Sequence, residues 1–391
     1  MSHSLLPFGL PAPATSAVDV LIVAGEHSGD EHASRVVREL HAKNPGLRIC
    51  ALGGPVLAAA GAQLLHDLTA TSVVGLVEVL KHYSFFKALF DATLRWIERH
   101  QPKVVCLVDY PGFNLRLAAR LRELGVSVKG GGQVKMLFYI SPQIWAWKPK
   151  RRFTMARDLD ALAVIFPFEP DCYKDTALPV EFVGHPFLAP DYAAPVRYDP
   201  DGPVLLLPGS RVQAVGRILP ALLAGFAEYL KSAPDMRAVT LYPSEEVAAT
   251  ARQVLARRPQ LAGKVELRAN AGSTAASAVL TSSGTMSLHC ALAGIPGAVV
   301  YRTNPLTYLF ARWLVKVDFI GIANLLLKEP MYPEFIQGAA TPAALAAQLR
   351  ECAADAVRRE KTQGLAAKLR ELLHEPTNGT AADWLARWLA I

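Results

Sequence analysis

An apolar run from Ala275 to Leu280 leads into Ser282-Ser283-Gly284-Thr285-Met286-Ser287-Leu288-His289, which opens a helix-like segment over Leu288 to Ala293. A strand that ends in Ser-Gly-Thr and continues as a helix leaves backbone N–H groups unpaired at the helix start, where the macrodipole favours an anion such as a diphosphate. Ser and Thr are also ordinary helix N-caps, so this stretch alone leaves capping and phosphate binding both open. A second loop of the same kind stands upstream. Val204-Leu205-Leu206-Leu207-Pro208-Gly209-Ser210-Arg211 is an apolar strand ending in small residues and then a fixed cation. Arg211 suits a diphosphate, with the N–H groups of Gly209 and Ser210 beside it; the bland alternative is a surface salt bridge. Two such loops at strand ends in one half of the chain point to a nucleotide site outside the carboxyl end of a sheet.

The first half offers carboxylates in comparable places. Asp109 follows the buried run Val104 to Val108 and precedes Tyr110-Pro111-Gly112-Phe113-Asn114. Open sheets present functional groups at the C-terminal ends of their strands, so both a general base and an Asx turn before Pro111 are open for Asp109. Glu26 and Asp30 flank the glycine turn Gly25-Glu26-His27-Ser28-Gly29-Asp30. Asp30 reads as the N-cap of the next helix, and Glu26, with turn residues on both sides, as a second candidate base or acceptor-binding group. His27 reads as a turn residue, and His185, between Gly184 and Pro186, as either cleft-lining or structural. Trp145 and Trp147 flank Ala146 and read as core side chains on one sheet face. The adjoining Lys148, Lys150, Arg151 and Arg152 are either solvated or hold a phosphate or lipid headgroup.

Such residues need strand ends that all point one way. Strands are expected near Val18 to Ala24, Arg48 to Leu52, Val104 to Val108, Met136 to Ile140, Ala161 to Phe166 and Glu181 to Val183, with helices such as Glu31 to Ala42 between them. The theme repeats near Val204 to Leu207, Ala238 to Tyr242, Val265 to Arg268, Ala278 to Thr281 and Ala298 to Tyr301. Strands alternating with helices predict an α/β fold with parallel sheets covered on both faces. Ala189 to Pro203, rich in Pro, Asp and Tyr and without helical or strand period, is read as an interdomain linker. At 391 residues the chain is long enough for two domains with separate cores.

Hydrophobic residues at 51% against 19% charged exclude a disordered chain and leave unusually apolar surface to be explained. A net charge of +7 fits an anionic partner. Nucleic acid is disfavoured, because the basic residues are scattered and no recognisable module carries them. Five dispersed cysteines, without a CxxC pair, read as reduced thiols of a cytosolic protein and not as metal ligands. Met1 to Ala17, broken by Pro7, Pro11 and Pro13, reads as a loose leader and not a signal peptide, and no apolar stretch is long enough to span a bilayer.

Gly75 to Ile97 carries more apolar side chains than one core-facing stripe needs, among them Val79, Leu80, Phe85 and Phe86, interrupted by Lys81, Lys87 and Arg95. It is expected to be a broken amphipathic hairpin resting on a membrane surface, the alternatives being a dimer interface or a buried helix pair. Leu306 to Val317 has a similar apolar-basic texture. Ala381 to Ile391 reads as an amphipathic helix whose Trp384 and Trp388 dock on the first domain or on a partner subunit.

Taken in order, Ala24-Gly25-Glu26-x-Ser28-Gly29-Asp30, Asp109-Tyr110-Pro111-Gly112-Phe113-Asn114, Ser141-Pro142-Gln143-x-Trp145-Ala146-Trp147, Leu206-Leu207-Pro208-Gly209-Ser210-Arg211, Ser283-Gly284-Thr285 and Asn324-Leu325-Leu326 closely resemble the lipid-A-disaccharide synthase family. The resemblance implies a GT-B fold: two Rossmann-like doubly wound domains facing a cleft, over 18–190 and 200–375, with a C-terminal helix, 376–391, returning to the first. It implies an inverting glycosyltransferase that joins UDP-2,3-diacylglucosamine to 2,3-diacylglucosamine 1-phosphate at the cytoplasmic face of the inner membrane, with no cofactor and no metal. Asp109 and Glu26 then become the catalytic candidates, and Gly209, Ser210, Arg211, Ser283, Gly284, Thr285, His289 and Asn324 the donor site. Ser28, Trp147, Lys148 and Arg151 fall to the acceptor or membrane, and a homodimer is expected as one possibility. The chain departs from the family in three places: His289 stands where the family has Glu, Ala214 where it has an acidic residue, and Ser127 to Lys135 looks like an inserted flexible loop. These departures keep a nucleotide-binding pseudoenzyme in view as an alternative, and the fold is shared with UDP-sugar 2-epimerases and other UDP-N-acetylglucosamine transferases.

Overall fold

The apolar runs become the centres of two parallel sheets in the computed structural model, which describes residues 9–71, 83–189, 192–304, 319–374 and 377–390. The chain divides into two compact units, Met1–Pro186 with Glu375–Ile391, and Phe187–His374.

The first unit runs β1 (Val20–Ala24), α1 (His27–Lys43), β2 (Ile49–Gly53), α2 (Pro55–Ala59), β3 (Gln63–Asp67), α3 (Tyr83–His100), β4 (Val104–Val108), α4 (Pro111–Glu123), β5 (Lys135–Tyr139), α5 (Arg151–Asp158), β6 (Ala161–Val164) and β7 (Val180–Phe182). Among the described residues its sheet has the order β3-β2-β1-β4-β5-β6-β7. Every residue of β1 and β4 is buried, as strands covered by helices on both faces must be. The chain moves outward from β1 through β2 to β3 and then returns to the other side of β1 as β4, so the winding reverses between β1 and β4.

The second unit holds β8 (Val196–Tyr198), β9 (Val204–Leu207), α6 (Val212–Tyr229), β10 (Ala238–Tyr242), α7 (Glu245–Ala256), β11 (Val265–Ala269), β12 (Thr274–Ala276), β13 (Ala278–Thr281), α8 (Thr285–Leu292), β14 (Gly297–Tyr301), α9 (Ile322–Leu327), β15 (Glu334–Ile336), α10 (Pro342–Ala354) and α11 (Ala356–Leu373). Its main sheet has the order β11-β10-β9-β13-β14-β15, and the winding reverses between β9 and β13.

The last helix, α12 (Ala381–Leu389), belongs to the first unit, where it packs on α1. A capping box between Thr380 and Asp383 starts it, Thr380 Oγ1 donates to Glu39 Oε2 at 2.7 Å, and Lys43 pairs with Asp383. Trp384, Leu385 and Leu389 are buried, each such side chain contributing about 1.5–3 kcal/mol of hydrophobic stabilisation.

Four expectations change. The stretch read as linker, Ala189 to Pro203, contains β8, which pairs with β12, and the boundary between the units falls earlier, at Pro186 and Phe187. Ser127 to Lys135 is no flexible loop: Val128 N donates to Val134 O at 2.9 Å and Gly132 N to Ser127 O at 2.9 Å. Its glycines are there for close packing, since a Cβ on Gly130 or Gly132 would fall 2.2 Å or 2.1 Å from a backbone oxygen. The described part of Gly75 to Ile97 is the first part of the single helix α3, whose Leu89, Leu94, Trp96 and Ile97 are core residues, not lipid-facing ones. Phe85 packs against that core and its ring lies 5.8 Å from that of Phe86, edge to face. Val79, Leu80 and the run Leu306 to Val317 lie outside the described residues. The first helix begins at His27, not near Glu31, so the glycine turn is its opening turn.

Candidate functional site

In an open sheet the loops at a winding reversal diverge and leave a crevice beyond the carboxyl ends of the two strands. In the first unit those loops are Gly25-Glu26 after β1 and Asp109-Tyr110 after β4. Ala24 and Val108 are register partners, so the two loops leave the sheet side by side. They touch: a Cβ on Gly25 would lie 2.2–2.7 Å from the ring of Tyr110, which only glycine permits. Burial first, and then the charge of Glu26, pushes the Tyr110 phenol above its ordinary pKa, which places Glu26 within electrostatic reach of this turn. Asp109 and Tyr110 are both left-handed, with φ of 46° and 48°, a conformation rare for residues other than glycine and typically held at functional sites. Both are half-buried, so the Asp109 turn is partly open to solvent.

Asp30 takes a different role from the one expected. It caps α2, not α1: its carboxylate, 1% exposed, accepts from the N–H groups of Gly54 at 2.7 Å, Val56 at 3.0 Å and Leu57 at 3.3 Å. Glu26 is the N-cap residue of α1, without a side-chain capping bond, and Ser28 lies in that helix's first turn. His185 is buried in this unit with its ring 5.4 Å from Phe166.

Trp145 and Trp147 do not share a sheet face, because the chain leaves β5 and crosses 141–150 without a strand. Trp145 packs edge-on against Phe168 at 5.6 Å, while Trp147 is 43% exposed with Lys148 Nζ 4.0 Å above its ring. Arg151 is half-buried, and Arg152 is tied to Asp175 at 2.6 Å.

The second unit repeats the geometry at β9 and β13. Leu207 and Thr281 are register partners, and Ser282 N donates to Leu207 O at 2.8 Å, so Pro208-Gly209-Ser210 and Ser282-Ser283-Gly284 emerge together. Gly209 has φ +113°, and a Cβ there would meet Ser282 Oγ and Ala214 Cβ, both at 3.3 Å. Arg211 is the exposed N-cap residue of α6, and Gly284 that of α8, so two helix N-termini open at one edge of the sheet. Each directs unpaired N–H groups and the positive end of its dipole outward, a setting for the oxygens of a diphosphate. Ser283, Gly284 and Thr285 are accessible there.

Two residues expected at the donor are otherwise engaged. His289 is 7% exposed; its Nε2 lies 3.1 Å from the Tyr192 hydroxyl and its ring stacks on Phe187 with centroids 3.9 Å apart. A ribose would have to displace that packing. Asn324 is 0% exposed, and its amide accepts from Tyr332 N at 2.9 Å and donates to Tyr332 O at 2.7 Å and Glu334 Oε1 at 2.8 Å. Glu334 also takes the N–H groups of Ile320 and Gly321. Asn324 therefore fixes the 320–334 segment and presents no polar atom outward. Neither Glu334 nor the Phe187 and Tyr192 pair was visible as a partner in the sequence, because nothing local marks contacts made across such separations.

Two doubly wound parallel sheets in one chain, each with small-residue loops at its winding reversal, define the class of the nucleotide-sugar enzymes of GT-B architecture. The solved glycotransferase of kitacinnamycin matches with TM-score 0.56 at 18% identity, over 95% of this chain and 99% of that one. The UDP-GlcNAc 2-epimerase of Neisseria meningitidis matches with TM-score 0.56 at 12% identity, over 91% and 100%. Sequence narrows the class. A family model described as lipid-A-disaccharide synthetase matches residues 20–387, and the lipid-A-disaccharide synthase of Nitrosococcus oceani is 37% identical over 364 residues, 89% of this chain and 90% of that protein. The chain belongs to the lipid-A-disaccharide synthase family, glycosyltransferases of lipid A biosynthesis.

Proposed function

We propose that the protein joins UDP-2,3-diacylglucosamine to 2,3-diacylglucosamine 1-phosphate, releasing UDP and the lipid A disaccharide 1-phosphate with inversion at the anomeric carbon. The observation that carries this reading is the paired anion cradle of the second unit, where Gly209 and Ser282 stand side by side at the N-termini of α6 and α8. Gly209, Ser210, Arg211, Ser283, Gly284 and Thr285 take the UDP diphosphate. Arg211 and the helix N-termini offset the charge that grows on the leaving diphosphate as the glycosidic bond breaks, and such pre-set dipoles lower the barrier most when little reorganisation is needed.

Asp109 acts as general base, taking the proton of the acceptor 6-hydroxyl as its oxygen attacks, with Glu26 beside it as acceptor ligand or alternative base. Ser28, Trp147, Lys148 and Arg151 serve the acceptor phosphate or a lipid headgroup, the exposed indole and ammonium of the Trp147–Lys148 pair suiting an anionic interface. His289 shapes the donor pocket through Tyr192 and Phe187, and Asn324 by fixing the chain around Glu334. The acyl chains of both substrates suit an enzyme at the cytoplasmic surface of the inner membrane, with Val79, Leu80 and Phe86 as the apolar contact and Phe85 turned to the core. No helix among the described residues is long and apolar enough to cross a membrane.

The experiment is direct. Purified protein given both diacylated substrates in mixed micelles should yield UDP and a disaccharide monophosphate in equal amounts. Release of UDP and free diacylglucosamine without disaccharide, or no turnover with intact UDP binding, would point to a different reaction or to a pseudoenzyme.

A further inference from the structure

We infer that Asn114 is a positioning residue that holds Asp109 in its left-handed conformation, an inference that rests on the reading of Asp109 as the base. Asn114 lies in the first turn and a half of α4 and is 0% exposed, so it touches no substrate. Its Nδ2 donates towards three carbonyl oxygens: Asp109 O at 2.8 Å, Val108 O at 3.3 Å and Val23 O at 3.3 Å. The opposite end of the amide, Oδ1, is buried with no hydrogen-bond partner. That imbalance is informative. Turned the other way, the amide oxygen would face three carbonyl oxygens, so the side chain leaves its own acceptor unused in order to place a donor here.

The donor falls on a strained stretch of backbone. Asp109 and Tyr110 both have positive φ, and neither is glycine. The Asp109 N–H is bound by Tyr139 O at 2.9 Å and its carbonyl by Asn114, so the main chain is pinned on both sides of the Cα that carries the carboxylate. The contact with Val23 crosses the winding reversal from the β4 side to the β1 side and ties the Asp109 turn to the strand that carries Gly25 and Glu26. Without that donor, the Asp109 peptide is free to rotate towards an ordinary conformation, and the carboxylate swings with it. A base moved by about 1 Å can lose on the order of a hundredfold in rate.

The test is a double-mutant cycle on the full-length protein, measured as UDP release with both diacylated substrates. Asn114→Ala should lower kcat roughly 10- to 100-fold, shift the acidic limb of the kcat/KM pH profile, and leave UDP affinity within about twofold. In an Asp109→Asn background the same change should lower turnover by less than about twofold, because a residue acting through Asp109 has nothing left to position. Losses that multiply in the double variant, or an Asn114→Ala kcat within twofold of wild type, overturn the inference. If Asn114→Ala does not fold, Asn114→Ser is measured against the same criteria. The two readings fail separately. Wild-type turnover in Asp109→Asn removes the base itself, whereas a slowed Asp109→Asn with multiplying losses removes only the role given to Asn114.

Discussion

Replacing Asp30 by Ala tests whether this carboxylate is structural. It binds three N–H groups at the start of α2, where Pro55 has none of its own to satisfy. Two of the three bonds, to Gly54 and Leu57, are buried; Val56 is exposed enough for water to replace the lost acceptor. Leaving a buried donor unpaired costs roughly 1–3 kcal/mol, so the loss is about 2–6 kcal/mol. The better helix propensity of Ala within α1 returns about 0.5 kcal/mol. For a unit of roughly 200 residues, at about 2–4 °C per kcal/mol, the first unit should melt on the order of 5–20 °C lower. Scanning calorimetry resolves this, and Asp30→Asn, which keeps one acceptor oxygen, should fall between. Turnover per folded molecule at low temperature should stay within about threefold of wild type, since Asp30 is not assigned to the chemistry. A melting temperature within about 1 °C of wild type, or normal stability with abolished turnover, refutes the capping account.

Three further outcomes follow from the same geometry. Gly25→Ala drives a methyl group into the Tyr110 ring and displaces the Asp109 turn, so kcat should drop at least about tenfold while UDP titration calorimetry is unchanged. Burial pushes the Glu169 carboxyl from 4.5 up to about 8, so folding prefers its protonated form and stability is lost as pH rises through that interval. Denaturant melts should therefore show Glu169→Gln gaining on wild type between pH 4.5 and about 8, with no further gain above, and a constant difference across that range would contradict the burial argument. In liposome flotation with anionic vesicles, Val79→Ser with Leu80→Ser should weaken binding without lowering the melting temperature, whereas Phe85→Ser, which uncovers core, should lower it.

What could be read from the sequence divides along physical lines. Val104 to Val108 and Val204 to Leu207 were legible because strands buried on both faces must be apolar throughout, and the small residues after them mark where helices begin. The edge strand β3, with polar Gln63, His66 and Asp67, and the three-residue β8, β12 and β15 carry no such run; long-range pairing alone makes them strands. Side-chain commitments were hidden for the same reason. Asp30 reaches across 24 residues to Gly54, and His289 across 97 to Tyr192, contacts that no local spacing announces. Gly130-Gly131-Gly132 suggested flexibility, yet Gly130 and Gly132 are small because a neighbouring backbone passes within contact distance. Asp109 was conspicuous at a strand end, while Asn114, whose amide binds the Asp109 carbonyl, looked like any polar residue in a helix.

The assignment of base and cradle is tested most directly by Asp109→Asn, which preserves shape and removes the proton acceptor. Disaccharide formation under saturating substrates should fall about a hundred- to ten-thousand-fold. UDP affinity, measured by calorimetry on the same preparation, should stay within about twofold, because the cradle at Gly209 and Ser282 belongs to the other unit. Wild-type turnover in Asp109→Asn would contradict the account and move the base to Glu26.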